Sequence, residues 1–240
     1  MKFVHILFFL IFFTVYGQTE TDTMNSLVVK RIESKKHIDL EEVSRLLEEQ
    51  TELQSINVIN WEKFPYLPEV KFRIAHSNNQ IWLKYYVNEQ NILAARTEVN
   101  SSVSRDSCVE FFFDPLGDGS YYNFEFNCIG TPHLAYGPDR HTREFVAPKK
   151  IKQLIKKESS LGDLPFDEKS GGHQWEMTIV LPAEILTSHD GIKLEGLRSR
   201  SNFYKCGDDT SEKHYLSWNP VGTERPDFHR PEFFGTLIFE

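Results

Sequence analysis

The sequence predicts an all-β protein, an antiparallel β-sandwich of jelly-roll or immunoglobulin-like type with one N-terminal helix and two short inserted helices. Aromatic residues make up 13% of the 240-residue chain, and such residues favour the pleated, half-buried surface of strands. At least eight segments alternate apolar and polar residues with a period of two, which is typical of strands with one buried face. Hydrophobic residues reach 40%, enough to close a core.

The first 17 residues predict a secretory signal peptide. A charged start precedes the apolar run 3–13, and Val15 and Gly17 are small enough for the cleavage subsites before Gln18. The run is short for a membrane anchor, and no other segment of the sequence is apolar enough to cross a bilayer. We therefore expect a secreted or periplasmic protein without a membrane span.

The segment 18–54 predicts a tail followed by one amphipathic helix. Residues 18 to about 36 are polar and weakly patterned, which indicates a tail. From about residue 37 to residue 53 the apolar positions recur at helical spacing, and Asp39 is suited to cap the helix N-terminus.

Residues 55–240 predict one sandwich domain without internal repeats. Short helices are expected at 149–157 and 182–186, and the Asn pair at 78–79 suits a turn between two strands. Alternation predicts strands at 70–75, 81–87, 108–113, 121–127, 174–181, 193–205, 215–218 and 235–239.

Charge and cysteine content restrict the partners. With 27 Lys and Arg against 35 Asp and Glu, the net charge of −8 argues against nucleic acid. The three cysteines, Cys108, Cys128 and Cys206, do not have the spacing of a zinc site. An oxidising compartment would pair two of them, and the sequence leaves open which two.

One face of three predicted strands is unusually polar. Residues two apart on a strand share a face, and the strands at 108–113, 121–127 and 198–204 each place hydrogen-bonding groups on one side. If these strands are neighbours, the groups form a patch that suits a polyhydroxylated ligand; the alternative is a solvated, salt-bridged outer face. The patch consists of Glu110, Asn123, Glu125, Asn127, Arg200, Asn202 and Tyr204.

The loop before the last strand is the second candidate region. It combines prolines, charged residues and aromatic rings, a composition that often accompanies function. We expect Phe228, His229 and Arg230 to cover the polar patch. The alternative is a structural crossover in which Trp218 and Phe234 close the end of the sandwich.

Seven motifs follow one another over residues 55–240, at 72–76, 106–112, 114–127, 175–184, 202–207, 216–220 and 229–235. Taken together and in this order, they resemble carbohydrate-binding module family 9, in the form secreted by Bacteroidetes-type bacteria. The resemblance implies a sandwich of two antiparallel sheets that binds carbohydrate, typically the reducing ends of β-glucans and xylans, often beside a xylanase.

The resemblance also assigns site residues. Glu110 matches the family's sugar-binding carboxylate and Asn127 matches its asparagine, while Arg200 falls at an amide position. Family members hold the sugar between two tryptophans; here one position falls near Ser104, without an aromatic ring, and the other is Phe228.

The resulting prediction is non-catalytic carbohydrate binding in polysaccharide recognition or breakdown. The alternatives are a glycoside hydrolase acting on O-glycosyl bonds with Glu110 and Glu125 as its carboxylates, and a structural or protein-binding sandwich. A haem-binding sandwich would need an axial Met such as Met177, which the alternation places on a core-like face. No cofactor is expected, although Asp114 and Asp118 are weak calcium candidates at a turn.

Overall fold

The computed structural model describes residues 24–240. The predicted signal peptide, residues 1–17, lies outside the described residues. Among the residues that are described, no helix has the length and apolar character that crossing a bilayer requires.

Strands dominate the described chain. The two α-helices are α1 (Leu40–Gln50) and α2 (Pro148–Leu154), and single 3₁₀ turns lie at Val103–Arg105, Ala183–Ile185 and Pro231–Phe233. The strands are β1 (Ser26–Arg31), β2 (Gln54–Ser55), β3 (Val58–Ile59), β4 (Glu69–Ser77), β5 (Gln80–Ala94), β6 (Cys108–Asp114), β7 (Tyr121–Asn127), β8 (Pro132–Gly137), β9 (Glu144–Phe145), β10 (Lys156–Ser159), β11 (Phe166–Pro182), β12 (Arg198–Cys206), β13 (Tyr215–Ser217) and β14 (Gly235–Phe239).

The strands form two sheets packed face to face, which confirms the predicted β-sandwich. One sheet has the order β14-β12-β6-β7-β8-β9, with β13 beside β12 and β3 beside β13. The other has the order β10-β11-β5-β4, with β2 beside β4. Asn78 and Asn79 both have positive φ, 49° and 60°, as the tight turn between β4 and β5 requires.

Strand β1 joins the two sheets. The sequence predicted a tail for residues 18 to about 36, but Ser26–Arg31 within it form this strand. Its first part pairs in parallel with β14, from Ser26 opposite Thr236 onward, and its last residues pair in parallel with β4, with Lys30 opposite Ala75. Val29 is fully buried. Such a short segment takes its strand conformation from distant partners rather than from its own pattern.

Aromatic side chains fill the space between the sheets. Phe72 on β4 and Phe203 on β12 stack with ring centroids 3.9 Å apart, and Phe203 in turn stacks on Phe111 at 5.0 Å. The alternating positions of the predicted strands therefore supply the core, because every second residue points inward.

Helix α1 covers the outer face of the second sheet. The Asp39 carboxylate accepts a hydrogen bond from the Glu42 backbone N–H at 2.8 Å, which confirms the predicted N-cap. Val43 and Leu47 of the helix pack with Trp82 of β5 in a separate apolar cluster.

A buried ion pair links the sheets. Lys205 Nζ on β12 lies 2.8 Å from Glu89 Oε2 on β5, and both side chains are fully buried. Trp175 Nε1 donates to the other Glu89 oxygen at 2.8 Å. Lys205 lies between Tyr204 and Cys206, so the ion pair holds β12 from one face of the sheet while those two side chains point to the opposite face.

Candidate functional site

Strands β12, β6 and β7 are neighbours, so the predicted polar residues share one face of a sheet. The register pairs Tyr204 with Glu110 and Glu110 with Glu125. Directly opposite residues of an antiparallel sheet point the same way. The same register places four further residues on this face: Asn123, Asn127, Arg200 and Asn202.

Only part of this face opens into a cavity, which has a volume of about 210 Å³. Four of the predicted residues line it: Glu110, Glu125, Phe228 and His229. Ser104, the position without a ring in the family comparison, also lines it. The cavity is further lined by residues that the sequence reasoning missed, among them His133, Arg140, Arg143, Asp208, Tyr215 and Asp227.

Two carboxyl groups form the floor of the cavity. Glu110 is 3% exposed and its Oε1 accepts a hydrogen bond from Cys206 Sγ at 3.0 Å. Burial, and then the neighbouring Glu125 charge, raise the pKa of Glu110 well above its usual value. Burial thus favours the protonated form of Glu110, which has both a hydrogen-bond donor and an acceptor.

Arginine, histidine and amide side chains surround the second carboxylate, Glu125. Glu125 Oε1 accepts from Asn123 Nδ2 at 2.8 Å. Arg143 Nη1 and His133 Nε2 each lie 3.9 Å from the same oxygen. This gap exceeds hydrogen-bond length, so Glu125 and Arg143 retain hydrogen-bonding capacity toward a ligand.

His229 forms a neutral wall of the cavity. Arg143 Nη1 lies 3.1 Å from His229 Nε2, and because a guanidinium only donates, Nε2 is the acceptor. His229 Nδ1 then carries the hydrogen and donates to Tyr121 Oη at 2.8 Å. Burial, together with the Arg143 and Arg140 charges, lowers the pKa of His229 to about 2.

Phe228 belongs to an aromatic cluster rather than standing free. It is 7% exposed, and its ring stacks on Tyr204 with centroids 4.0 Å apart. Trp61 lies at 5.9 Å and Tyr215 meets the ring edge-on at 6.1 Å. One face of Phe228 is therefore occupied, and Tyr215 provides a second ring at the cavity.

Two of the predicted asparagines hold the fold together instead of lining the cavity. Asn127 Nδ2 donates to Asp106 Oδ2 at 2.8 Å, and its Oδ1 accepts from Thr131 N at 2.7 Å. Asn202 Nδ2 donates to Asn219 O at 2.9 Å, and its Oδ1 accepts from Asn219 N at 2.9 Å. Their amides are satisfied within the protein.

The remaining predicted residues support the loop above the cavity. Arg200 Nε donates to Phe234 O at 3.0 Å, and Tyr204 Oη donates to Phe228 O at 3.2 Å. Arg230 pairs with Glu232, its Nε 2.8 Å from Oε1. None of these three side chains, Arg200, Tyr204 and Arg230, lines the cavity.

The weak calcium candidates serve a turn. Asp114 Oδ1 accepts from Gly117 N at 2.7 Å and Oδ2 accepts from Gly119 N at 2.9 Å. Asp118 Oδ1 accepts from Ser120 N at 2.9 Å. Both carboxylates therefore stabilise the turn by accepting from its backbone N–H groups.

Comparison with known proteins identifies the family. The family model described as "Carbohydrate-binding family 9" matches residues 41–239 of this chain. A candidate carbohydrate-binding protein from Bacteroides uniformis ATCC 8492 is 42% identical, with a TM-score of 0.87 over 91% of this chain and 100% of that chain. No curated protein matches the chain significantly.

Two more distant structures share the fold. Both are family 9 modules from Caldicellulosiruptor kristjanssonii. The glucose complex is 12% identical, with a TM-score of 0.58 over 90% of this chain and 96% of that chain. The cellotriose complex is 15% identical, with a TM-score of 0.54 over 90% and 94%. The match along most of the chain and the 42% identical structure together show that this chain belongs to carbohydrate-binding family 9.

Proposed function

We propose that the cavity binds one terminal sugar residue of an oligo- or polysaccharide without hydrolysing it. The observation that carries this proposal is the carboxyl pair, Glu110 and Glu125, on the floor of a small cavity. At about 210 Å³ the cavity is smaller than the roughly 300–1,000 Å³ of pockets for drug-sized ligands. That size suits a single sugar ring better than an extended chain.

The lining groups match the chemistry of a sugar. Glu125 and Asp227 accept hydrogen bonds from hydroxyls, and Arg143 donates to hydroxyl or ring oxygens. The exposed parts of Phe228 and Tyr215 provide apolar surface for the C–H face of the ring. The lining thus offers both donors and acceptors to the hydroxyls of a sugar, as burial of polar groups requires.

The relatives suggest which saccharides to test first. Because family 9 modules from Caldicellulosiruptor kristjanssonii were solved with glucose and with cellotriose, gluco-oligosaccharides come first and xylo-oligosaccharides second. The predicted signal peptide, residues 1–17, supports a secreted or periplasmic location, where polysaccharides are met.

The arrangement of the carboxyl groups favours binding over hydrolysis. A glycosidase places its two carboxyls on either side of the scissile bond, about 5–9.5 Å apart. Glu110 and Glu125 instead lie side by side on adjacent strands, both on the floor of the cavity.

Calorimetry with glucose, cellotriose and xylotriose tests the proposal. Glu125→Gln removes a charge-assisted acceptor and should weaken binding about 10- to 100-fold. Glu110→Gln should weaken binding less than Glu125→Gln does, because burial already disfavours the charged form of Glu110 and the amide offers both a donor and an acceptor. Glu158→Gln, on the exposed edge strand β10, is the matched control and should bind normally.

A reducing-sugar assay on the same proteins separates the alternatives. Sugar release that Glu125→Gln abolishes would support the hydrolase. Absence of binding heat with every saccharide, in a folded protein, would support a structural or protein-binding sandwich.

A further inference from the structure

Two cysteines lie directly opposite each other beneath the cavity. Cys108 on β6 pairs with Cys206 on β12 in the antiparallel register. Opposed residues in such a ladder have Cα atoms about 4.5 or 5.5 Å apart, and both values fall within the range of about 4.4–6.8 Å that a disulfide spans. Their Sγ atoms and a Glu110 carboxylate oxygen all lie within 4.8 Å of one another.

The third cysteine lies on the other side of the sheet. Cys128 belongs to the apolar core between the two sheets, whereas Cys108 and Cys206 belong to the aromatic cluster under the cavity. Cys128 Sγ points to Leu93 O at 3.5 Å. Neither Cys108 nor Cys206 can reach it without passing through the sheet.

We propose that Cys108 and Cys206 form a disulfide in the exported protein and that Cys128 remains a free thiol. The oxidant is a small disulfide such as oxidised glutathione. Thiol–disulfide exchange joins the two Sγ atoms, breaks the sulfur–sulfur bond of the oxidant and leaves the two thiol hydrogens on the two released thiols.

The environment of the pair sets when the bond forms. Both cysteines are buried, and burial raises the pKa of Cys108 to about 12. Because the thiolate is the attacking species, exchange in the folded state is slow. The bond therefore forms while the chain folds, and once formed it stays buried, since Cys108 is 0% and Cys206 is 1% exposed.

The disulfide changes the floor of the cavity. Cys206 is a hydrogen-bond donor to Glu110 Oε1, and oxidation removes that donor. It also cross-links the strands that carry Glu110 and Tyr204, across a loop of about 100 residues, a length at which the loss of denatured-state entropy is large.

Peptide mapping under non-reducing conditions tests the proposal without any saccharide. The full chain is refolded with oxidised glutathione, denatured and alkylated, and its mass is measured by mass spectrometry. We expect one alkylated thiol per chain. Trypsin leaves Cys108 and Cys128 on one peptide, since neither Lys nor Arg occurs between Asp106 and Asp139. Chymotrypsin, which cuts after the phenylalanines at 111–113, separates them and should release Cys108 linked to Cys206.

Two variants and a metal measurement complete the test. Cys128→Ala should form the same cross-link and retain no thiol, whereas Cys206→Ser should retain two thiols and no intramolecular link. Three alkylated thiols in the oxidised wild type, a link through Cys128, or three thiols with one bound zinc per chain would each overturn the proposal. Failure of saccharide binding with an intact Cys108–Cys206 link would overturn only the proposed function.

Discussion

Replacing His229 by Gln should change how the stability of the protein depends on pH. In the folded protein the pKa of His229 is lowered to about 2, while an imidazole in the unfolded chain titrates near its usual pKa of about 6.5. Below that pH the unfolded chain therefore binds one more proton at this position than the folded chain does. The wild type loses stability as the pH falls, and the variant lacks this contribution.

The size of the effect follows from proton linkage. One proton difference corresponds to about 1.4 kcal/mol per pH unit. Between pH 7.5 and pH 5 the free energy of unfolding of the wild type should fall by about 2 kcal/mol relative to His229→Gln. Other titrating groups are common to both proteins, so the difference between the two curves isolates His229.

Urea denaturation at half-unit steps from pH 7.5 to pH 5 measures this difference. His141→Gln, which alters an exposed imidazole, is the control. The difference in free energy of unfolding between this variant and the wild type should stay constant with pH within about 0.5 kcal/mol. If the His229→Gln curve also runs parallel to that of the wild type, His229 titrates alike in the folded and unfolded states. The assignment of His229 as a neutral acceptor for the Arg143 guanidinium is then wrong.

Three further changes test the structure that supports the cavity. Lys205→Met should cost about 3–5 kcal/mol in urea denaturation because it strands the buried Glu89 charge, and adding Glu89→Gln should recover part of the loss. Phe228→Ala should lower the free energy of unfolding by about 3–5 kcal/mol as well as weaken saccharide binding, since the ring packs on Tyr204; a loss of affinity at unchanged stability would contradict this packing. Asp114→Ala should cost about 1–2 kcal/mol by leaving turn N–H groups unpaired, and adding calcium to the wild type should leave Tm unchanged.

Strands with a clear local alternation are predictable from the sequence. The expected strand at 121–127 has the bounds of β7, Tyr121–Asn127, because the period of two is a property of neighbouring residues. Strand β8, Pro132–Gly137, was not predicted because its residues show little alternation. Likewise, residues 156–157, expected at the end of a helix, instead begin strand β10, which pairs with β11.

The sequence predicts which strand faces carry the candidate site, but it does not predict where those faces open into a cavity. Alternation places Asn123, Glu125 and Asn127 on the same face of their strand whatever the rest of the chain does. Whether a side chain on that face meets a ligand depends on distant residues: Asn127 is bound by Asp106, while Arg143 arrives from a loop whose charges look like those of any solvated turn. No local pattern encodes such contacts.

Strand β1 determines where a truncated version of the domain can begin. The family match begins at residue 41, yet β1, Ser26–Arg31, lies between β14 and β4 and hydrogen-bonds to both. A shortened chain that starts at residue 41 would leave two freshly exposed sheet edges, each a template for pairing with another copy. We expect such a truncation to aggregate on purification, and a boundary placed before Ser26 to avoid this.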